Sequence, residues 1–229
     1  MTDLVVMTRN RLPLLKRTLS YILERTVTPY RLRVIDDAST EGNAEYLRAL
    51  HAEGKLASVA IHSRRVGIPA HLRALSAITA SDPVVFTDDD VLCPLLSPDW
   101  LAQGLAAMRN HPRLGIMALN SPHCNVGGKR GRKEQAGAVT YCRNVPGTFV
   151  FVRRAVLERC APDDGIASPV KEMCLTAAQR GWRVGYLTDV YCQHIGVVSA
   201  RNQKNLSKEL TLVLPSDPFT LEPPDAYKG

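Results

Sequence analysis

Aromatic side chains and long apolar runs are both scarce in this chain, and each scarcity argues against a class of protein. Aromatic residues make up only 6% of the sequence, which argues against a protein that binds single-stranded nucleic acid by stacking its bases. No stretch approaches the roughly 18 apolar residues that a membrane-spanning helix needs. The amino terminus, MTDLVVMTRN, also lacks the apolar segment of a signal peptide. We therefore expect a cytoplasmic protein without a membrane span.

Paired cysteine motifs are also missing. None of the six cysteines forms a CxxC pair, so a zinc ribbon or a redox motif is not expected. The six are Cys93, Cys124, Cys142, Cys160, Cys174 and Cys192. We expect reduced thiols that serve ordinary packing roles.

Positive charge is in excess, with 29 Lys and Arg residues against 22 Asp and Glu residues and a formal net charge of +7. This excess favours polyanionic partners, and nucleotide phosphates, nucleic acid and an anionic lipid surface all qualify. The length of 229 residues suits one domain, or one domain with a tail.

Short apolar runs alternate with helical patterns in the first half of the chain. The pattern predicts strands at 4–7, 32–35, 59–61 and 83–86, with helices at 12–26, 42–53 and 70–80 between them. This rhythm predicts an α/β fold with a Rossmann-like, mostly parallel central sheet and helices on both faces. In such sheets ligands bind beyond the carboxyl ends of the strands.

The second half is less regular. Helices are predicted at 100–110 and 171–180, and strands at 114–119, 148–152 and 183–187. Residues 120–138 are polar, basic and rich in glycine, which is typical of a mobile loop. The Pro-rich tail from residue 197 is expected to wrap the surface.

Three adjacent carboxylates, Asp88, Asp89 and Asp90, follow the apolar run in PVVFTDDDVLCP. They repel one another unless a cation neutralises them, and hard oxygen ligands suit Mg²⁺ or Mn²⁺ holding a diphosphate. A solvated acidic turn is the alternative. The segment Asp36-Asp37-Ala38-Ser39-Thr40 follows the second strand and could simply cap the next helix. His194, after the last strand, is either a metal ligand or a structural residue.

The chain resembles the family 2 glycosyltransferases in the order and the intervals of several segments. These segments are LVVMTRNR, RLRVIDDAST, PVVFTDDDVLCP, GTFVFVRRAVLERC and AAQRGWRVGYLTDVYCQHIG. The resemblance covers about residues 3–196. It implies a GT-A fold over residues 1–196, with a nucleotide-sugar-binding half at about 1–95 and an acceptor half at about 96–196. Residues 197–229 would then form a carboxyl-terminal tail.

The resemblance also implies roles for residues that bind the donor. Thr8 and Arg9 occupy positions that approach the nucleotide base, and Asp37 matches the Asp that binds the uracil edge. Arg64 and Arg65 lie near the place of a donor-contacting Arg.

At the acidic triplet, the resemblance makes Asp88 the ribose contact and Asp89 the metal ligand. A shift of one residue would give the metal to Asp90 instead. His194 matches a His that reaches the metal or the diphosphate.

The family's ED pair, which supplies the general base, is absent from the stretch 168–175. Glu172 falls where a later acidic residue of that helix sits and is the first candidate for the base. Asp163 and Asp164 are the reserve. Glu172 as a solvated helix residue, and the chain as an inactive relative, both remain open.

Four positive charges cluster at Lys129, Arg130, Arg132 and Lys133. Such a run is usually a solvated loop, but the resemblance places it beside the acceptor cleft. An anionic acceptor, such as duplex DNA carrying modified bases, is one hypothesis.

The expected reaction is metal-dependent, with Mn²⁺ or Mg²⁺. It transfers one sugar, with inversion, from a nucleoside-diphosphate sugar such as a UDP-sugar to an acceptor hydroxyl. One alternative is a sugar nucleotidyltransferase, which needs a Gly-rich loop after the first strand, where residues 8–11 have no glycine. The other is a non-catalytic nucleic-acid-binding protein.

Overall fold

Strands and helices alternate through the first half of the computed structural model, which describes residues 1–121 and 134–196. The elements are β1 (Thr2–Thr8), α1 (Leu12–Arg25), β2 (Tyr30–Asp36), α2 (Asn43–Ala52), β3 (Ser58–Ile61), α3 (Ile68–Ile78) and β4 (Val84–Asp88). Every strand and helix predicted in this half is present, which confirms the βα rhythm.

The second half contains more strands than its sequence pattern indicates. The elements are β5 (Val91–Leu92), α4 (Trp100–Asn110), β6 (Leu114–Asn120), β7 (Glu134–Ala136), β8 (Val139–Tyr141), β9 (Val150–Val152), α5 (Arg154–Cys160), α6 (Pro169–Gln179), β10 (Arg183–Tyr191) and β11 (Gln193–His194). The prediction of a loop over 120–138 was wrong for residues 134–136, because β7 pairs with β8 and β8 pairs with β10. Helix α5 was not predicted either.

Nine of the described strands form one sheet, in the order β3-β2-β1-β4-β9-β6-β10-β8-β7. Strands β9 and β8 are antiparallel to their neighbours, so the other seven strands run in one direction. Strand β9 lies between β4 and β6, with Val152 opposite both Val84 and Ile116. The sheet is therefore mostly parallel, as predicted. Strands β5 and β11 form a separate antiparallel pair.

Two apolar clusters cover the opposite faces of the sheet. Leu4 and Val6 of β1 belong to the first cluster, with buried residues of α1, α2 and α4. Val5 and Met7 belong to the second, with buried residues of α3, α5 and α6. Because successive residues of a strand point to opposite faces, β1 is buried on both sides. This arrangement confirms the α/β fold with helices on both faces.

The amino-terminal edge of the sheet is tied together by one buried carboxylate. Asp3 is fully buried and accepts hydrogen bonds from Arg31 Nε and Arg33 Nε, both at 2.9 Å. The backbone N–H groups of Ala80 and Ser81 donate to it at 2.7 and 3.0 Å. Burial alone would raise the pKa of Asp3, but these hydrogen bonds hold it well below its ordinary value.

Cys93, Cys160 and Cys174 are free thiols, and all three are buried in the apolar core. None of the helices in the described parts of the chain is long and apolar enough to cross a membrane.

Candidate functional site

The carboxyl ends of three neighbouring parallel strands bring the predicted acidic groups to one edge of the sheet. In the strand register Thr8 of β1 lies opposite Asp36 of β2, and Met7 lies opposite Asp88 of β4. The end of β1 therefore separates the Asp36-Asp37 segment from the Asp88–Asp90 triplet, at the edge where parallel α/β sheets bind ligands.

Asp89 is buried, and the surrounding protein engages its carboxylate. The Thr8 hydroxyl donates to Asp89 Oδ2 at 2.6 Å, and the backbone N–H of Arg9 donates to the same oxygen at 3.4 Å. The Thr18 hydroxyl donates to the Asp89 carbonyl at 2.8 Å. Burial raises the pKa of Asp89 to about 6, against the opposing effect of the Arg11 charge and the Thr8 hydrogen bond. Asp89 thus fastens β1 and α1 to the acidic turn.

Arg11, directly before α1, supplies positive charge to the triplet. Its Nη1 atom lies 3.3 Å from Asp89 Oδ1 and 2.5 Å from Asp90 Oδ2. Burial of Arg11 opposes its charge, but the carboxylates of Asp89, Asp90 and Asp88 raise the pKa of the guanidinium. The sequence-based prediction missed Arg11. The available signal was a cationic residue just after the first strand, at the same sheet edge as the triplet.

Within the triplet, Asp90 has a buried carboxylate oxygen that no described group hydrogen-bonds. Asp90 Oδ1 is buried without a hydrogen-bond partner and lies 3.3 Å from His194 Nε2. The pairing of β11 with β5 holds this geometry, since His194 lies opposite Val91 and the Ile195 N–H donates to the Asp90 carbonyl at 2.8 Å. The fold therefore brings Asp90 and His194 together, as the metal hypothesis requires.

A divalent cation fits the chemistry of this pair. The described residues contain no group of three or more His, Cys, Asp or Glu side chains that could hold a metal ion. Mg²⁺ sites commonly use only one or two protein carboxylates, with substrate phosphates and water completing the shell. The orphaned Asp90 oxygen and the adjacent imidazole nitrogen suit such a site, with the remaining positions left to a diphosphate.

A cavity of about 340 Å³ opens beside Asp88. Its lining includes Met7 and Phe86 from the sheet, the segment 144–147, and residues 168–171 at the start of α6. Burial and the charges of Asp90 and Asp89 raise the pKa of Asp88 to about 8. The cavity therefore places a carboxyl group of high proton affinity next to space for a ligand.

Asp37 anchors the loop that precedes α3. Its Oδ1 accepts the N–H of Val66 at 2.6 Å, and its Oδ2 accepts the N–H of Gly67 at 3.1 Å. His71 Nε2 lies 3.6 Å from Asp37 Oδ1, and burial lowers the pKa of His71 against the opposing Asp37 charge. Helix α2 has Gly42 at its N-cap and no side-chain cap, so the reading of Asp37 as a helix cap was wrong.

The predicted donor-binding arginines are exposed. Arg64 and Arg65 lie in the loop before α3 that Asp37 anchors, and Arg9 follows β1 beside Asp89. None of the three side chains is buried.

The candidate bases all lie on the exposed surface. Glu172 is exposed in the first turn of α6, one residue after Lys171, which lines the cavity. Asp163 is exposed, and Asp164 forms an ion pair with Arg73 at 2.6 Å. None of the three lines the cavity. The basic run Lys129, Arg130, Arg132 and Lys133 lies outside the described residues.

A sequence model of the family named Glycosyl transferase family 2 matches residues 3–159. This chain belongs to glycosyl transferase family 2. The match contains β1, β2 and β4, so it includes Thr8, Asp37 and the Asp88–Asp90 triplet, whereas His194 lies beyond it. A search of the curated proteins gave no match.

Solved structures show that this family 2 member has the GT-A fold. A mannosyltransferase from Pyrobaculum calidifontis in complex with GDP-Man and Mn²⁺ aligns with a TM-score of 0.68 at 21% identity, over 84% of this chain and 56% of that chain. S. aureus TarS 1-349 in complex with UDP-GlcNAc aligns with a TM-score of 0.62 at 17% identity, over 84% of this chain and 58% of that chain. GalNAc-T7 with UDP, GalNAc and Mn²⁺ aligns with a TM-score of 0.69 at 13% identity, over 85% of this chain and 43% of that chain. This chain thus spans about half the length of each.

Proposed function

We propose that this protein transfers a sugar from a nucleoside-diphosphate sugar to an acceptor hydroxyl, with a divalent cation bound at Asp90 and His194. The unpaired, buried Asp90 Oδ1 beside His194 Nε2 carries the proposal, because a buried polar atom without a partner is costly unless a ligand completes it. The similar mannosyltransferase and GalNAc-T7 structures contain Mn²⁺ with a nucleotide or nucleotide sugar, which supports the same chemistry here.

Asp90 is the better choice of the two possible metal ligands. The carboxylate of Asp89 already accepts hydrogen bonds from Thr8 and Arg9 and pairs with Arg11, so a metal there would have to break several contacts. Asp90 keeps one oxygen free. We therefore propose Asp90 and His194 as the ligands of Mn²⁺ or Mg²⁺, and a positioning role for Asp89.

We propose that the nucleotide lies along the ends of β1 and β2, with its base towards Asp37. Each carboxylate oxygen has two lone pairs, so Asp37 can bind the loop N–H groups and still accept from the N–H edge of a base. A UDP-sugar is the proposed donor. Thr8, Arg9, Arg64 and Arg65 would surround its base and phosphates, and Asp88 would contact the ribose.

In the proposed transfer, a carboxylate accepts the proton of the acceptor hydroxyl while that oxygen attacks the anomeric carbon in line, with inversion. Glu172 is our first candidate for this base, because the turn before it lines the cavity beside Asp88. Asp163 and Asp164 remain the alternatives. When bound, a divalent cation offsets the charge that the diphosphate gains as it leaves.

For the acceptor we keep the hypothesis of a polyanion, such as duplex DNA with modified bases. It rests on the net charge of +7 and on the basic run, which lies outside the described residues. Lys171 lines the cavity and adds one positive charge near the proposed acceptor side.

Thermal unfolding with nucleotides tests the proposal. UDP with Mn²⁺ should stabilise the protein, by about 2.7 kcal/mol when UDP is at 100 times its dissociation constant, and EDTA should remove the effect. Asp90→Asn should abolish the stabilisation, whereas Asp189→Asn, an exposed position on β10, should preserve it. A lack of stabilisation by any nucleoside diphosphate with metal would reject the proposal.

Two further measurements separate the rival functions. A sugar nucleotidyltransferase should respond to a nucleoside triphosphate and release pyrophosphate when given a sugar phosphate. A simple nucleic-acid-binding protein should ignore the metal and lose affinity steeply as salt rises.

A further inference from the structure

An arginine already occupies part of the proposed metal site. Within the described residues, the ion pairs that Asp89 and Asp90 make with arginine or lysine are both made by Arg11. A single guanidinium nitrogen, Nη1, contacts both carboxylates, at 3.3 and 2.5 Å. The positive charge of Arg11 thus stands where a divalent cation would otherwise neutralise the triplet.

We propose that Arg11 is a built-in counter-ion that competes with the divalent cation for Asp90, so that metal binds as Arg11 withdraws. This inference rests on the proposed metal site at Asp90 and His194. Arg11 holds Asp90 Oδ2 while Oδ1 stays unpaired, so both cations would share one carboxylate. Two cations on one carboxylate repel each other strongly in a partly buried site.

The surroundings of Arg11 allow it to leave. Its side chain is 40% exposed, whereas those of Asp89 and Asp90 are 4% and 5% exposed. Arg11 precedes α1 and makes no side-chain cap to that helix. When the guanidinium turns to solvent, the Thr8 hydroxyl and the Arg9 N–H still hold Asp89. The acidic turn therefore keeps its position while its counter-ion changes.

In the metal-free protein, the proposed role of Arg11 is to stabilise the acidic turn. Three adjacent carboxylates without a cation would repel one another and strain the turn. Arg11 keeps the turn folded until the metal and diphosphate arrive, and its released charge then lies close enough to meet the incoming phosphates. We therefore expect Arg11 to weaken binding of the metal alone more than binding of the metal with nucleotide.

The test is calorimetric titration of the folded protein with Mn²⁺ alone, without nucleotide. Arg11→Gln should bind Mn²⁺ about tenfold more tightly than the wild type, because it removes the repulsion between the guanidinium and the metal. A larger gain is not expected, since solvent screens part of the Arg11 charge. Arg11→Lys, which keeps the charge, should stay near the wild-type affinity. Lys16→Gln is the matched control, because it removes one exposed charge from α1 beside Tyr46, and its Mn²⁺ affinity should stay within about twofold of the wild type.

Stability gives a second readout that does not depend on titration. With EDTA, Arg11→Gln should melt at a lower temperature than the wild type, and Mn²⁺ should raise its melting temperature by more. If Arg11→Gln is poorly folded at room temperature, the Mn²⁺ affinities of the variant and the wild type are compared at a lower temperature at which both are folded. Unchanged or weakened Mn²⁺ affinity in Arg11→Gln would overturn the proposal.

Failure of the competition and failure of the proposed function give different results. If Arg11→Gln binds Mn²⁺ no better but both proteins bind UDP with Mn²⁺, the competition is wrong and the donor site stands. If Arg11→Gln binds Mn²⁺ more tightly and neither protein binds any nucleoside diphosphate, the competition stands and the proposed function falls.

Discussion

Gly196 passes so close to Asp90 that a Cβ atom built on it would lie 2.0 Å from Asp90 Oδ2. Only a residue without a side chain fits at this distance. The approach is part of the same segment that places His194 beside Asp90 Oδ1. The end of the described chain thus completes a site that the end of β4 begins.

Gly196→Ala should displace the Asp90 carboxylate, destabilise the fold by about 1–3 kcal/mol, the usual cost of overpacking, and weaken Mn²⁺-dependent UDP binding. Gly147→Ala is a milder comparison, because its Cβ would lie 3.1 Å from Asp88 Oδ2. Calorimetry with UDP and Mn²⁺, together with the melting temperature in EDTA, measures both effects. Wild-type affinity in Gly196→Ala would show that the proposed site does not use Asp90 in this position.

Asp37→Asn should lower UDP affinity and loosen the loop before α3. An amide nitrogen cannot accept the N–H of Val66 or Gly67, and a hydrogen bond to a charged group is worth about 1.5–3 kcal/mol. UDP affinity and the free energy of unfolding are measured on the same variant. A loss of stability with unchanged UDP affinity would make Asp37 a loop anchor alone.

Glu172→Gln should abolish transfer while UDP binding persists, because the amide keeps the shape but cannot accept a proton. Glu158→Gln is the control, since Glu158 is an exposed residue of α5 that lies 3.9 Å from Arg154 and has no proposed role in the site. Turnover with a UDP-sugar, measured beside UDP affinity, separates the two steps. Normal turnover in Glu172→Gln would move the search to Asp163 and Asp164.

Asp3→Asn should destabilise the protein by about 3 kcal/mol at neutral pH, at the low end for a buried pair because Arg31 and Arg33 are partly exposed. The folded-state pKa of Asp3 is lowered from 3.8, so its stabilisation is present above about pH 4 and is lost as pH falls through the lowered value. Denaturant unfolding between pH 7 and pH 2 should show the two proteins converging in acid. A constant difference across this range would contradict the role given to Asp3.

Replacing Lys129, Arg130, Arg132 and Lys133 by alanine should cripple transfer to a polyanionic acceptor and leave UDP binding unchanged. With duplex DNA, the slope of log affinity against log salt should fall by about 0.9 for each lost phosphate contact. A salt series with DNA carrying hydroxymethylated bases compares the variant with the wild type. If the two proteins bind this DNA equally, and salt does not change their affinity, the hypothesis of a polyanionic acceptor is rejected.

The sequence was sufficient to predict those strands and helices whose apolar pattern repeats within one segment. Strands β1, β2 and β4 and the helices after them are long or strongly periodic, and Asp37 and Asp88 to Asp90 follow strand ends that a parallel sheet must bring together. The short strands β7 and β8 have three residues each, and they depend on partners distant in sequence or on each other, because β8 pairs with β10 and β7 pairs with β8. Helix α5 has seven residues and no side-chain cap.

The state of each carboxylate could not be read from the sequence. Asp88, Asp89 and Asp90 are adjacent and chemically identical, and the contacts that distinguish them come from distant segments. Thr8 and Arg11 are 81 and 78 residues from Asp89, and His194 approaches only through β11. The proposal of Asp90 rather than Asp89 as the metal ligand therefore depends on the positions of these side chains.

Strand β9 joins the first and second halves of the chain within one sheet. Val152 comes from the second half of the chain, yet it joins the edge of β4 to the edge of β6. A fragment that ends near residue 95 would leave β4 with an open edge, and the remaining fragment would carry β9 with only one neighbour. Neither fragment has a complete sheet, so the two are expected to acquire native structure only on recombination, by complementation through β9.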